Sequence, residues 1–497
     1  MFVRISFLFL LCYFLTYTAS ANFNFNANCK TAYSNIISLK FIAGQTQIAQ
    51  EKQSNPSNLI PLLLENYIDF LSLFVSEDEK QYSLLQTSQK TRLAAIENGD
   101  KKSPYYLYAQ AEINIQWAFV KVKFGNYMSA ATDINSAYHL LEKNQNLFPN
   151  FIPNKKSLGL LHVLIGSIPD QYKWVADIIG LEGNVSQGIQ ELRIAINLAS
   201  KDSEYVVMVP ECAFLLSYVL GSLESSTQDL EQQYKLLNSL DKTNLLLYHS
   251  RAKIAAQLGK NDDVIAILSN YPYGKEYFPF PYLDYLKGKA LLNKLDPSAN
   301  IPFQNFLSHF KGKNYIKASY QKLAWYYWVV KNDTTLYSKT IKNAISAGYT
   351  NIGEDKEALW EAQNHLVPNK ILLKSRLLFD GGYYLQAFQM LINSPNTYFK
   401  PPKDELEFYY RLARIHHKMG NTTKAINLYK ATIKFGEEQP YYYAAYAALQ
   451  LATIYEESKN DTDAELYYKK CMSINGAEYE DAIKAKAKAG LNRLKKR

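Results

Sequence analysis

Apolar residues recur three and four positions apart along most of the chain, which is the period of amphipathic helices. Alternating runs bounded by Asn-Gly or Asp-Gly turns are nearly absent, and Asp380-Gly381-Gly382 reads as a helix terminator. The strongest pattern lies in the last hundred residues. Leu412, Ala413, Ala425 and Tyr429 recur as Leu451, Ala452, Ala464 and Tyr468, all at one offset of 39 residues. Each copy runs large, Leu-small, large at helical spacing, then a turn, then Ala with an aromatic four positions on. Four matches at one offset predict a duplicated pair of antiparallel helices. The small residues let paired helices approach to about 8–10 Å, and Gly420 supplies the left-handed turn between them.

Taking the small residue of the first helix as an anchor, the unit can be followed upstream through Ala118, Gly159, Ala213, Ala252, Gly288, Ala324 and Ser375 to Ala413 and Ala452. The order resembles the tetratricopeptide helix-turn-helix, whose basic period is about 34 residues. The expected fold is all-α, a right-handed α-solenoid of tetratricopeptide-like hairpins. Residues 22–100 are expected to form an N-terminal helical cap and residues 101–497 the repeat array. Insertions are expected near 165–183 and 348–368, the second as an extra helix on the surface of the array.

Residues 1–21 carry Arg4, an apolar stretch from Ile5 to Tyr17 and then Ala19-Ser20-Ala21. The stretch falls short of the roughly 20 residues needed to span a bilayer, so it reads as a signal peptide cut after Ala21. The protein is therefore expected to be exported, periplasmic or outer-membrane associated, with no transmembrane segment after cleavage. Peripheral membrane contact is compatible with that reading. Cleavage leaves Cys29, Cys212 and Cys471, which build neither a disulfide framework nor a zinc motif and read as core residues. The net charge of +9 is spread along 497 residues, too dilute for a nucleic-acid partner. The basic run from Lys484 to Arg497 reads as the polar cap of the last repeat.

The segment Leu158-Gly159-Leu160-Leu161-His162 leads into Gly166-Ser167-Ile168-Pro169, Tyr172-Lys173-Trp174 and Gly180-Leu181-Glu182-Gly183, followed by Gly188 and Leu192. With Gln116-Trp117-Ala118-Phe119 upstream, this resembles the inclusion-body-clearance and tetratricopeptide repeat protein 39 family over residues 100–200. The resemblance implies a non-catalytic helical-repeat protein. The export signal departs from that family, so the fold alone carries over. The Lys-, Asn- and Tyr-rich composition with a signal peptide is also similar to exported repeat proteins of Bacteroidetes-type bacteria.

No catalytic motif stands out. His139, His162, His249, His309, His365, His416 and His417 form no HExxH, and GxSxG, SxxK and phosphate-binding glycine loops are absent. No cofactor or metal is expected, and an enzyme is the least favoured class. Stacked hairpins turn their first helices toward a concave face. The family's groove positions fall on Tyr282, Tyr285 and Lys289 in one hairpin, on Ala318, Gln321, Trp325 and Trp328 in the next, and on Glu407, Tyr410, Arg414 and His417 near the end. Aromatic and arginine side chains anchor protein interfaces. The leading expectation is an exported scaffold that binds a protein or peptide partner in the envelope. The alternative is a small-ligand or lipid carrier with a pocket near Trp174.

Overall fold

The computed structural model describes residues 22–168, 181–223, 225–475 and 480–494. The expected signal peptide, Trp174 with most of the first insertion, and Lys495, Lys496 and Arg497 lie outside these residues. The described chain is all-α, and its only β feature is an isolated bridge between Asn22 and Asn58. No helix among the described residues is long and apolar enough to cross a membrane. The helices fall into two compact units: residues up to Ile254 with Tyr271–Phe280, and Ala255–Asn270 with Pro281–Arg497.

In both units successive helices pair as hairpins, and the same turn closes most of them. One residue adopts a left-handed φ, and the next backbone N–H reaches a carbonyl five residues back. In the first unit Leu39 (φ 62°) and Gly125 (φ 78°) take that place. In the second unit it falls to Gly259, Leu295, Gly382, Gly420 and Lys459. The closing bonds include Asn126 N to Lys121 O at 2.8 Å, Asn421 N to His416 O at 2.9 Å and Asn460 N to Tyr455 O at 2.9 Å. Gly420 and Lys459 are one offset of 39 apart, so the duplicated unit repeats its backbone even where the glycine is lost.

All nine small anchors are buried. Ala413 and Ala452 occupy equivalent, fully enclosed places, as do Tyr429 and Tyr468. Gly159 shows why the anchor must be small: a Cβ there would lie 2.9 Å from the Gly188 carbonyl oxygen, where helix Ile152–Gly166 packs on helix Val185–Ala199. The three cysteines are free and buried, and burial above all pushes each thiol up to about 12.

The first unit has a charged centre. Lys156 is 1% exposed and spends its three N–H donors on Tyr67 Oη (2.9 Å), Glu112 Oε1 (3.0 Å) and Glu211 Oε2 (2.9 Å). Ser157 donates to Glu112 Oε2 at 2.6 Å, and the Tyr33 hydroxyl donates to Glu211. These residues come from five helices: Ala27–Ile37, Ile60–Ser76, Pro104–Lys123, Ile152–Gly166 and Val209–Ser222. The network thus fixes their register around one buried ammonium.

The second insertion is a helix, Gly353–Gln363, as expected; its outer face keeps Lys356, Trp360 and Gln363 exposed, while its inner face is built into the core. Its Ala358 and Ala362 are buried, and Asp355 is fully enclosed. The Asp355 carboxylate accepts from the backbone N–H groups of Tyr315 (2.7 Å) and Ala318 (2.9 Å), capping helix Ile316–Val329 from outside.

Candidate functional site

The second unit encloses a cavity of about 710 Å³. Three successive hairpins supply its walls through equivalent positions. Asn369, Leu373 and Arg376 stand 38 residues before Glu407, Arg411 and Arg414, and Tyr446 and Gln450 stand 39 after Glu407 and Arg411; all eight line the cavity. The residue directly after three of the small anchors faces it: Trp325 follows Ala324, Arg376 follows Ser375, and Arg414 follows Ala413. Once the anchor is turned into the hairpin contact, its neighbour one position on is rotated by about 100°, onto the inner face.

Helix Lys403–Lys418 contributes a stripe, Lys403, Glu407, Tyr410 and Arg414, spaced four, three and four apart. Tyr410 packs beside Tyr443 (ring centroids 5.7 Å apart), Tyr442 (6.2 Å) and Tyr446 (6.5 Å), giving the cavity an aromatic floor. Two ion pairs hold the walls. Arg376 Nη2 lies 3.0 Å from Glu357 Oε1, and Arg411 Nε donates to Glu407 Oε1 at 2.6 Å, where Tyr443 Oη also donates at 2.6 Å to the other oxygen. Burial alone would raise the Glu357 carboxyl, but Arg376 and Lys322 outweigh it and hold it at about 2. Glu407 is likewise kept below its ordinary range, because Arg411 and Tyr443 overcome its burial.

The expected groove residues divide. Trp325, Tyr410 and Arg414 meet at this cavity, whereas Tyr282, Tyr285, Lys289, Trp328 and His417 do not line it. Tyr285 is 1% exposed, in the core against Phe303, Phe306 and Tyr315, and Tyr282 stacks on it. Lys289 reaches Glu354 at 3.9 Å. Trp328 donates to the Pro368 carbonyl at 3.0 Å and packs on Tyr337, and His417 packs edge-on against Tyr429.

The inserted helix Gly353–Gln363 explains much of this division. It lies on the face of helix Ile316–Val329 where the repeat pattern places a groove, so Ala318 and Gln321 are fully buried. Gln321 Nε2 and Trp325 Nε1 donate to Glu361 at 2.6 and 2.9 Å. Trp325 is only 2% exposed, carries Lys322 Nζ 3.7 Å above its ring, and reaches the cavity as part of its wall.

Several lining residues escaped the sequence reading: Glu357, Glu361 and Trp360 from the insertion, and Arg376, Tyr442, Tyr443, Tyr446 and Gln450 from the repeats. Adding 39 to Glu407, or subtracting 38 from Arg414, would have found Tyr446 and Arg376. No signal of that kind exists for the inserted helix.

Repeated helical hairpins with equivalent inward positions define a helical-repeat protein. Residues 406–434 and 445–478 match the tetratricopeptide repeat family, over the two hairpins that carry the 39-residue offset. No curated protein matches the chain. Among solved structures it is similar to the crystal structure of the P58(IPK) TPR domain, at 14% identity, covering 88% of this chain and 99% of that one with a TM-score of 0.21.

Proposed function

We propose that the protein is an exported, non-catalytic helical-repeat scaffold of the bacterial cell envelope, periplasmic or outer-membrane associated, which holds a protein partner in the cavity of the second unit. The observation that carries this reading is that Arg414, Lys403, Tyr442 and Tyr446 all line the cavity and are half-buried rather than sealed in the core. Arginine and aromatic side chains are the types that dominate binding energy at protein interfaces. A stack of equivalent inward positions suits a ligand that is itself extended and periodic.

The test is a photo-crosslinking residue placed at Gln450 inside the cavity and, separately, at Lys459 on the exposed hairpin turn. The proposal expects a specific adduct from Gln450 in envelope extract and none from Lys459. Equal adducts from both sites, or none from Gln450, would overturn it. Export has its own measurement: N-terminal sequencing of protein from the envelope fraction should begin at Asn22, and a Met1 terminus in the cytoplasmic fraction would refute the location.

A further inference from the structure

The charges around the cavity are not evenly partnered. Each lining carboxylate already has a neighbour: Glu357 has Arg376, Glu407 has Arg411 and Tyr443, and Glu361 has Gln321 and Trp325. Asp404 accepts from Asn369 Nδ2 at 3.0 Å and Lys400 N at 3.2 Å, and Asp380 lies 3.8 Å from Arg376. Arg376 and Arg411 are thereby spent. Arg414 and Lys403 are different: both are half-buried, both line the cavity, and among the described residues neither has a carboxylate or hydrogen-bond acceptor. Arg414 is held in place by rings instead, its guanidinium carbon 4.2 Å from the Phe379 centroid and 5.8 Å from that of Tyr410. Lys403 Nζ lies 5.7 Å from the Tyr441 centroid. Ring faces steady a cation without consuming its N–H donors, so both groups keep donors for a ligand.

From this arrangement we infer that the occupant of the cavity is an extended acidic peptide segment, with two carboxylates about five residues apart and an aromatic or apolar side chain between them. This rests on the groove proposed above and deepens it. Lys403 and Arg414 are eleven residues apart on one helix, which places them roughly 16 Å apart on the same face. An extended chain covers about 3.3 Å per residue, so roughly five residues bridge that distance. Tyr410 sits between the two cations in the buried floor, and the half-buried Tyr442 and Tyr446 packed beside it offer ring surface to the middle of the segment. The guanidinium fork suits a carboxylate bidentately, whereas the ammonium serves as a point charge, so the Arg414 end carries more of the affinity.

The experiment selects from a random library of nonapeptides, acetylated and amidated at their ends, on the immobilised full chain, and measures enriched peptides by fluorescence anisotropy. The inference expects enriched peptides to carry two acidic residues four to six apart flanking an aromatic or apolar one, with affinity falling as salt rises. Arg414→Gln should weaken these peptides about tenfold and Lys403→Gln about threefold, while Lys434→Gln leaves them unchanged. Enrichment of neutral or basic peptides that still crosslink at Gln450 would overturn the acidic ligand and leave the groove standing. Acidic peptides indifferent to Arg414→Gln would also overturn it. Failure to enrich any peptide that crosslinks at Gln450 would remove the groove itself.

Discussion

Lys156 and Arg414 are both cations set among tyrosines and glutamates, yet one is sealed and the other open. Lys156 lies at the centre of the first unit, with every donor engaged and two carboxylates beside it. Arg414 lies on a cavity wall of the second unit, with rings beneath it and no acid paired to it. A buried charge of the first kind holds helices in register, because its removal strands other charges. One of the second kind contributes little to the fold and stays available to a ligand. The same side-chain vocabulary thus serves architecture in one region and recognition in the other.

The largest effect should come from the sealed site. Lys156→Met leaves Glu112 and Glu211 buried without their ammonium, and should cost about 3–5 kcal/mol in urea unfolding. The two glutamates should then separate. Burial raises both carboxyls; for Glu112 Lys156 and Ser157 outweigh it and lower the pKa, whereas for Glu211 burial prevails over Lys156, and Glu112 adds to it. Glu112→Gln should therefore cost more than Glu211→Gln. Because Glu211 titrates higher in the folded state, the native protein holds the extra proton above the ordinary value of 4.5, and its contribution to stability falls as pH rises through that interval. Glu211→Gln should flatten the slope above pH 4.5; an unchanged slope would show that another group causes it.

The cavity wall should answer pH with the opposite sign. Glu357 is held at about 2 in the folded state, so the unfolded chain binds the extra proton first as pH drops from about 4.5. Its contribution is fully present above that range and is lost as pH falls toward 2. The pair is about one quarter exposed, and after allowance for solvent screening its loss should amount to about 2 kcal/mol. Thermal melts at pH 7 and pH 3 should show a smaller drop for Glu357→Gln than for the unaltered chain. An equal drop would mean that the ion pair does not brace the wall.

A smaller effect bears on how far the repeats could be read from residues alone. The offset of 39 and the small anchors were legible because each hairpin needs a short side chain at its closest contact. Ala413, Ala452, Tyr429 and Tyr468 accordingly sit in equivalent buried places. Gly420 was legible as a left-handed turn, but Lys459, its equivalent, was not, since nothing in a lysine announces a φ of 60°. Gly420→Ala should cost about 1 kcal/mol, with open space around the new methyl leaving the backbone as the cause. Lys459→Gly should gain about 0.5 kcal/mol. A part of the candidate site was visible for the same reason, through Trp325, Glu407, Tyr410 and Arg414. The helix Gly353–Gln363 has no counterpart in the other repeats, so a periodic argument could not foresee that it would cover Ala318 and Gln321 and donate Glu357 to the cavity.

The smallest expected effect is the sharpest test of the contrast. Arg414→Met makes the change of Lys156→Met, a cation replaced by an unbranched apolar chain of similar reach, and differs only in surroundings. With no carboxylate to strand and rings on either side to pack against, it should shift unfolding by no more than about 0.5 kcal/mol. It should also reduce, without abolishing, the salt dependence of acidic-peptide binding, because Lys403 keeps its own carboxylate. If Arg414→Met instead destabilised the second unit by several kcal/mol, the guanidinium would be a structural brace like Lys156. The open cation on which the acidic-ligand inference depends would then belong to the fold.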